Sequence, residues 1–342
     1  MIRVLIVDDS AFMRNALSNL LSSDPGITVV GTAKDGLEGV ELAAKLNPDV
    51  VTLDVEMPKL DGISALRRIM TERPVPVIMV SSLTTEGARL TMEALEIGAM
   101  DFIPKNLADR TNNILSMKDS LISKVKAVSR GVAAPKPHSA GRAPEKRGAA
   151  SHVDVVAIGA STGGPRALQS IIPRLPGAVP VPILIAQHMP EGFTRAFADR
   201  LAQMSRIMVK EAEDGEVLRP GIVYVAPGSG HMSVAKTSGM KTCLKIAQGG
   251  DETYRPSVDQ LFSSVADQYA ADSLGIILTG MGTDGLKGAA RMKSAGARVI
   301  AQDEQTSAVF GMPRAALEAG VAERAVPLDD VSDEIMRATG MK

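Results

Sequence analysis

The stretch VDVVAIGASTGGPRAL, residues 153–168, passes through three structural patterns within sixteen positions. Its first part is almost uninterruptedly apolar as far as Ile158, which is typical of a strand buried on both faces of a parallel sheet. Glycines then flank Ser161 on both sides, and Pro165 opens a segment in which apolar residues recur at helical spacing. A buried strand, a glycine-rich turn and a helix in that order predict an α/β fold.

The same alternation of apolar strands and amphipathic helices continues on both sides of this stretch. Before it, strands are predicted at Arg3–Val7, Thr28–Gly31, Val50–Leu53, Val77–Val80 and Phe102–Ile103. From it onward, strands are predicted at Val153–Ile158, Ile183–Ala186, Ile207–Lys210, Ile222–Val225, Gly275–Leu278, Arg298–Ala301 and Ala325–Pro327. The piece from Gly215 to Ile246 has the glycine-punctuated pattern of an inserted β-hairpin. The sequence therefore predicts two doubly wound parallel-sheet domains.

Between the two sets of strands lies a segment of low complexity, GVAAPKPHSAGRAPEKRGAA, residues 131–150. Ala, Gly and Pro fill twelve of its twenty positions, and it has no Leu, Ile or aromatic residue. Such a segment cannot bury enough apolar surface to offset the entropy lost on ordering. We therefore expect a flexible linker over 126–151, which joins a domain of residues 1–125 to one of residues 152–342.

Composition excludes several classes of function. The 342 residues carry 38 basic and 39 acidic side chains, a net charge of −1, so the broad basic surface of a nucleic-acid-binding protein is not expected. The longest apolar run, Ala178–Ala186, has nine residues, whereas a membrane-spanning helix needs roughly 18. We therefore expect no direct membrane insertion and a cytoplasmic location. The single cysteine, Cys243, cannot form an internal disulfide and lies in an alternating strand pattern.

Polar side chains follow four of the five predicted strands in the first domain. Asp8 and Asp9 follow the first strand, Asp54 the third, Ser81 the fourth and Lys105 the fifth. Because the carboxyl ends of parallel strands meet at one edge of a sheet, we expect these groups to lie close together. Clustered carboxylates favour Mg²⁺, and a lysine and a hydroxyl suit phosphoryl oxygens. An aspartate beside Mg²⁺ could accept a phosphoryl group.

Residues 1–125 resemble the receiver domains of two-component response regulators. The matching pieces are VLIVDDS, VVTLDVEMPKLDGISAL, VIMVSS and GAMDFIPK. The resemblance implies a flavodoxin-like fold and phosphorylation of Asp54 by a cognate histidine kinase. It also implies Mg²⁺ ligation by Asp9 and Asp54 with Asp8 nearby. The acidic pocket and switch residues that it implies are Asp8, Asp9, Ser81, Phe102 and Lys105.

The glycine-rich turn around Ser161 satisfies the pattern G-x-S-x-G and has two functional interpretations. It could cradle the pyrophosphate of a dinucleotide, but such a site wants an acidic residue about 20 positions onward to bind a ribose. The next strand instead ends in Gln187 and His188. The alternative is a nucleophilic serine, which needs a base and a carboxylate that orients the base.

Two further residues could complete such a triad. His188 follows the neighbouring predicted strand, and Asp284 follows another in GIILTGMGTDG, so both can meet Ser161 at one sheet edge. His231, in the predicted hairpin, is a weaker alternative base. Asp284 precedes a helical pattern, so it could also be a helix N-cap, and the two roles are compatible.

Residues 153–340 resemble the catalytic domain of the chemotaxis protein-glutamate methylesterases. The matching pieces are IGASTGGP, IAQHMP, VYVAPG, YRPSVDQLF, ILTGMGTDGLKG and IAQDEQTSAVFGMPRAA. The resemblance implies a Rossmann-like domain in a phosphorylation-activated hydrolase, which demethylates glutamate methyl esters and deamidates glutamines on methyl-accepting chemoreceptors for sensory adaptation. It assigns Ser161 as nucleophile, His188 as base and Asp284 as its orienting partner, with no cofactor for the esterase step. The oxyanion region that it implies comprises Thr162, Met281 and Gly282.

Other output domains remain as alternatives to the esterase. A response regulator that binds DNA would need a basic helix-turn-helix, and the second predicted domain is α/β and larger than such a module. A nucleotide-binding output lacks the expected ribose-binding acid. A non-catalytic output, in which the three candidate triad residues are structural, is the remaining alternative.

Overall fold

The computed structural model describes residues 1–105, 112–130, 152–237, 241–249 and 254–341, with side chains of the helix at 112–130 described from 117 to 129. The chain divides into two compact units, Met1–Val132 and Ala133–Lys342. Within the described ranges, no helix combines the length and the apolar character needed to cross a membrane.

The first unit alternates strands and helices throughout. Its elements are β1 Ile2–Val7, α1 Ala11–Ser22, β2 Ile27–Ala33, α2 Gly36–Leu46, β3 Val50–Asp54, α3 Gly62–Glu72, β4 Val77–Ser81, α4 Thr85–Ile97, β5 Asp101–Pro104 and α5 Asn112–Arg130. Its described strands form a parallel sheet of order β2-β1-β3-β4-β5. The predicted flavodoxin-like arrangement is confirmed, and the order places the carboxyl ends of β1 and β3 side by side at a topological switch point.

Burial explains why these elements form. β3 and β4 are buried at every position, as expected for strands covered by helices on both faces. Helix α1 buries Met13, Leu17 and Leu21, which share one helical face. A polar side chain caps each of the four helices α1 to α4, where it accepts a hydrogen bond from an amide in the first turn. These caps are Ser10, Asp35, Asp61 and Thr84.

Helix α5 corrects the predicted start of the linker. The helix continues to Arg130, so residues 126–130 are helical rather than part of a flexible segment. Val125 and Val128 are fully buried, and the Lys126 ammonium lies 2.5 Å from a carboxylate oxygen of Asp24. The apolar face of the helix therefore extends past the predicted boundary. The rest of the predicted linker, 131–151, lies outside the described residues.

The second unit is a larger sheet with a hairpin added. Its elements are β6 Val155–Ala160, α6 Gly164–Ile171, β7 Ile183–Gln187, α7 Phe193–Met204, β8 Met208–Glu211, β9 Ile222–Val225, β10 His231–Lys236, β11 Thr242–Ala247, α8 Val258–Tyr269, β12 Ser273–Ile277, α9 Leu286–Ser294, β13 Arg298–Gln302, α10 Met312–Glu318, β14 Ala325–Val326 and α11 Val331–Ala338. The described strands of the main sheet are parallel, in the order β14-β13-β12-β6-β7-β9-β8. Strands β10 and β11 pair antiparallel and form the predicted hairpin.

Strand β6 lies at the centre of this sheet and positions the site. It pairs with β12 on one side and β7 on the other, so the loops after all three strands emerge together. The hairpin is held against α8, where the Val234 amide donates to the Ser264 hydroxyl at 3.0 Å. Helix α8 thus links the hairpin to the sheet edge at which β6, β7 and β12 end.

Candidate functional site

Ser161 directly follows β6, in a turn where the next two residues but one are glycines, Gly163 and Gly164, with no room for a side chain. Its amide donates to the Thr279 carbonyl at 3.0 Å, and its own carbonyl accepts from the Gly164 amide at 2.8 Å. Gly163 has a φ of +78°, in the left-handed region, and forms the N-cap of α6. A Cβ at Gly164 would lie 2.0 Å from the Gln187 side-chain oxygen. The turn therefore presents Ser161 at the N-terminus of α6, where developing negative charge is favoured.

His188 brings Ser161 and Asp284 together. Its Nδ1 lies 3.1 Å from Ser161 Oγ, and its Nε2 lies 2.7 Å from Asp284 Oδ2. The side chains of His188 and Asp284 are only 8% and 9% exposed. A neutral imidazole that accepts the serine proton at Nδ1 carries its own hydrogen on Nε2 and donates it to the carboxylate. The three residues predicted from the sequence thus form a continuous hydrogen-bonded array.

The Asp284 carboxylate is held by the start of a neighbouring helix. It accepts hydrogen bonds from the amides of Val258 at 2.7 Å and Asp259 at 3.0 Å, and from the Ser257 hydroxyl at 3.2 Å. The carboxylate therefore accepts from free amides at the start of α8, whose N-cap is Ser257, whereas the helix that follows Asp284, α9, has Gly285 as N-cap. The predicted N-cap role of Asp284 for its own following helix is therefore wrong, because its carboxylate turns to the amides of α8 and to His188.

These contacts set the charge state of Asp284. Burial acts to raise the pKa of its carboxyl, but the hydrogen bonds from His188 and from the α8 amides outweigh that effect and hold the pKa below its usual value. The carboxylate therefore stays ionised beside the imidazole at neutral pH and can stabilise an imidazolium.

The loop after β12 passes directly beside the serine. A Cβ at Gly280 would lie 2.8 Å from Ser161 Cβ, and Gly282 has a φ of +85°. Thr162 is buried, with its carbonyl accepting from the Thr279 hydroxyl at 2.9 Å. The structure therefore brings Thr162 and the Met281–Gly282 segment to the same edge as the serine.

Two side chains that contact the array were not identified from the sequence. The Gln187 side-chain amide donates to the carbonyls of Ser161 and His188, both at 3.0 Å. The Tyr254 ring stacks on the His188 imidazole, with centroids 4.8 Å apart and planes 6° apart. The sequence offers only weak signals for these two residues. Gln187 is a polar residue at the end of an apolar strand, and Tyr254 is one of only three tyrosines in the chain.

His231, the alternative base, lies in a different environment. It is fully buried, and its Nδ1 accepts a hydrogen bond from the Ser257 amide at 3.0 Å. Its ring therefore supports the segment that caps α8, while His188 is the histidine that contacts Ser161. Cys243 is buried in β11, as the alternating pattern predicted.

At the edge of the first unit, the structure gathers the predicted acidic pocket. Oxygen atoms of Asp8, Asp9 and Asp54 all lie within 4.8 Å of one another. The Lys105 ammonium lies 3.0 Å from Asp8 Oδ2 and 2.7 Å from Asp54 Oδ2. Three clustered carboxylates that offer only oxygen ligands suit a small hard cation such as Mg²⁺.

Burial and pairing act in opposite directions in this pocket. Burial raises the pKa of the Asp54 carboxyl to about 6, against the opposing effect of the Lys105 hydrogen bond. Burial alone would lower the pKa of the Lys105 ammonium, but its hydrogen bonds with Asp54 and Asp8 hold that pKa above the usual value. Lys105 therefore remains charged beside Asp54, the candidate acceptor of a phosphoryl group.

The two predicted switch residues lie next to the pocket. Ser81 is fully buried and its hydroxyl donates to the Gly87 carbonyl at 3.1 Å, while its carbonyl accepts from the Lys105 amide at 2.6 Å. Phe102 is 3% exposed, and the Lys124 ammonium lies 5.6 Å from its ring centroid. The Ser81 hydroxyl thus donates its hydrogen bond to a carbonyl of α4, and the Phe102 side chain is buried.

The chain matches two family models. The family model described as CheB methylesterase matches residues 156–335, and the model of the response regulator receiver domain matches residues 4–116. The chain belongs to the CheB methylesterase family. The family and the receiver domain predicted from the motifs are confirmed, and the alternative output domains have no support.

Named relatives share the whole length of this CheB-family chain. A protein-glutamate methylesterase/protein-glutamine glutaminase 1 of Oleidesulfovibrio alaskensis is 47% identical, and the match covers 99% of each chain. A protein-glutamate methylesterase/protein-glutamine glutaminase of Pyrococcus abyssi is 44% identical over 99% of this chain and 94% of the relative.

A solved structure supports the fold of the second unit. The crystal structure of the Thermotoga maritima CheB methylesterase catalytic domain shares 43% sequence identity with this chain, with a TM-score of 0.52. The match covers 54% of this chain and 97% of that domain. The second unit therefore has the fold of a CheB catalytic domain.

Proposed function

We propose that the chain is a phosphorylation-activated protein-glutamate methylesterase that also deamidates protein glutamines. Its substrates would be methyl-accepting chemoreceptors, and its role sensory adaptation in chemotaxis. Full-length relatives named for both activities support the reaction class. The observation that carries the proposal is the array in which His188 lies 3.1 Å from Ser161 and 2.7 Å from Asp284.

In the first half of the reaction, Ser161 Oγ attacks the carbonyl carbon of the glutamate methyl ester. His188 Nδ1 takes the serine proton, and Asp284 stabilises the imidazolium through Nε2. The tetrahedral intermediate collapses as the carbon–oxygen bond to the methoxy group breaks. His188 returns the proton to the leaving oxygen, so methanol departs and the acyl group remains on Ser161.

In the second half, water takes the place of the serine. His188 removes a proton from the water as it attacks the acyl carbon, then returns the proton to Ser161 Oγ as the ester bond breaks. The products are a glutamate carboxylate and the free enzyme. A glutamine follows the same path with ammonia as the leaving group, so one site serves both reactions. The scheme uses no cofactor.

Backbone amides are suited to stabilise the oxyanion. The turn at Thr162 lies at the N-terminus of α6, and Gly280, which directly precedes the Met281–Gly282 segment, lies against Ser161. Amides from these two segments would face an oxygen on the attacked carbon. Removing one such donor typically costs about 3 kcal/mol in the transition state.

The first unit would supply the control. Asp54 would accept a phosphoryl group from a cognate histidine kinase, with Asp8, Asp9 and Asp54 as the residues that hold Mg²⁺. When bound, Mg²⁺ would offset negative charge on the phosphoryl oxygens. Lys105, which now pairs with Asp54, would pair with the phosphoryl group. The new charge of about −1.5 to −2 would draw the Ser81 hydroxyl away from α4 and reposition Phe102.

Methanol release from methylated chemoreceptors tests the function. We expect the full chain to release methanol, and to do so faster with the phosphoryl donor acetyl phosphate. The variant Asp54→Asn should lose the response to acetyl phosphate because its amide cannot accept the phosphoryl group. Absence of methanol release from the unaltered chain, with or without the donor, would refute the esterase. A full response in Asp54→Asn would refute this residue as the acceptor.

A further inference from the structure

We propose that Tyr254 is a positioning residue for His188, and that it sets the plane of the imidazole during the reaction. This inference rests on the proposed triad. Its basis is the parallel stack of the two rings, with centroids 4.8 Å apart and planes 6° apart.

The tyrosine ring lies between two parts of the candidate active site. One face covers the His188 imidazole. The Tyr254 hydroxyl lies close to the loop after β12, since a Cβ at Gly282 would be 3.5 Å from it. The ring therefore spans from the base to the loop that carries the proposed oxyanion segment.

The backbone on the C-terminal side of Tyr254 is held in place. The Arg255 carbonyl accepts a hydrogen bond from the Met189 amide at 3.3 Å, which ties this segment to the residue after His188. Ser257 then caps α8, and its amide donates to buried His231. The stacked ring is thus carried by a segment that is anchored at both His188 and the α8 N-terminus.

Hydrogen bonds alone leave one motion of the imidazole open. The contacts of Nδ1 with Ser161 and of Nε2 with Asp284 define an axis through the ring, and rotation about that axis changes little in either distance. A parallel aromatic ring opposes that rotation, so the Nδ1 lone pair stays aligned with Ser161 and the Nε2–H bond with Asp284. The aromatic face also favours the imidazolium that forms when His188 accepts a proton.

Three substitutions in the full chain separate these effects. Tyr254→Phe keeps the aromatic face, Tyr254→Leu keeps apolar cover without a π system, and Tyr254→Ala removes both. We expect kcat for methanol release to stay within about twofold in the Phe variant and to fall about 10- to 100-fold in the Leu and Ala variants. KM should change little, since the tyrosine is proposed to act on the base.

Nuclear magnetic resonance of the His188 ring reports on the stack itself, separately from the amount of folded protein. The stacked tyrosine shifts the His188 ring-proton signals by its ring current, so they should move in the Leu and Ala variants and stay in place in the Phe variant. Tyr269→Leu is the matched control, because Tyr269 ends α8 at the opposite end from the segment that holds Asp284. It should keep both kcat and the His188 signals.

Contrary results are distinct from failure of the proposed function. Wild-type kcat in Tyr254→Ala, or unmoved His188 signals, would overturn this inference. So would a loss of kcat that merely follows a loss of folded protein in thermal unfolding. Ser161→Ala, assayed alongside, separates the two proposals: if it still releases methanol, the triad itself is wrong, whereas an inactive Ser161→Ala with normal Tyr254 variants rejects only the role of Tyr254.

Discussion

His188 is the side chain that the other residues of the candidate active site contact. Ser161, Asp284 and Tyr254 contact three different parts of its ring. Its Nδ1 faces the serine and its Nε2 faces the carboxylate, so the hydrogen bond to Asp284 selects the tautomer that leaves Nδ1 free to accept a proton. In the proposed mechanism, the reactivity of Ser161 therefore depends on the charge and position of Asp284.

The lowered pKa of Asp284 gives a prediction with a defined sign. The pKa of this carboxyl is lower in the folded chain than in the unfolded chain. Such a group stabilises the fold when the pH is above its pKa in the unfolded chain, and the stabilisation is lost as the pH falls through its pKa in the folded chain. Asp284→Asn should therefore lower the free energy of unfolding of the catalytic unit by about 1–3 kcal/mol at neutral pH. The difference should shrink below about pH 4.

Chemical denaturation of the two proteins from pH 7 to pH 3 measures this difference. Asp329→Asn is a suitable control, because Asp329 pairs with Arg174 on an exposed surface, where an ion pair is worth about 0–1 kcal/mol. An Asp284→Asn difference that is equally large at pH 3 would show that the Asp284 carboxylate is not stabilised as described.

At the scale of elements, the adjacent ends of β6 and β7 fix the distance between nucleophile and base. Gln187, the last residue of β7, bridges the carbonyls of Ser161 and His188 and is 2% exposed. The amide of His188 in turn donates to the Ala160 carbonyl at 3.0 Å. These cross-links continue the sheet pairing one residue past the strands.

Gln187→Leu should weaken this coupling. The substitution removes the donor that the two carbonyls share, and the Ser161 carbonyl keeps only the Gly164 amide. We therefore expect a loss of about 1–3 kcal/mol in stability and a kcat lowered by about tenfold or more as Ser161 and His188 separate. Thermal unfolding and methanol release measure the two effects. Gln203→Leu, at an exposed position on α7, should change neither. Wild-type kcat in Gln187→Leu would show that the bridge does not position the triad.

The elements also show how far sequence patterns reach. Continuous apolar runs identified the strands, and residues at their carboxyl ends identified Ser161, His188 and Asp284, because parallel strands bring those ends together. Helices α4, α5 and α11 were not predicted, and the buried apolar residues of α11, Val331, Ile335 and Ala338, give only a short pattern. The stack of Tyr254 on His188 joins distant segments, and neither periodicity nor a motif encodes such a tertiary contact.

At the scale of the whole molecule, two α/β units carry their functional groups in the same way. In each unit the polar side chains stand at the carboxyl edge of a parallel sheet, as carboxylates with a lysine in one and as a serine, histidine and aspartate array in the other. In the function proposed above, phosphorylation at Asp54 would raise the rate at which Ser161 attacks its substrate.

The most direct test is methanol release by Ser161→Ala in the full chain, with methylated chemoreceptors and acetyl phosphate present. The hydroxyl that this substitution removes is the proposed attacking group, while the Asp54 pocket is left intact. We expect the variant to incorporate phosphoryl groups at Asp54 as the unaltered chain does, yet to release no methanol above background. Methanol release by Ser161→Ala at the rate of the unaltered chain would contradict this expectation.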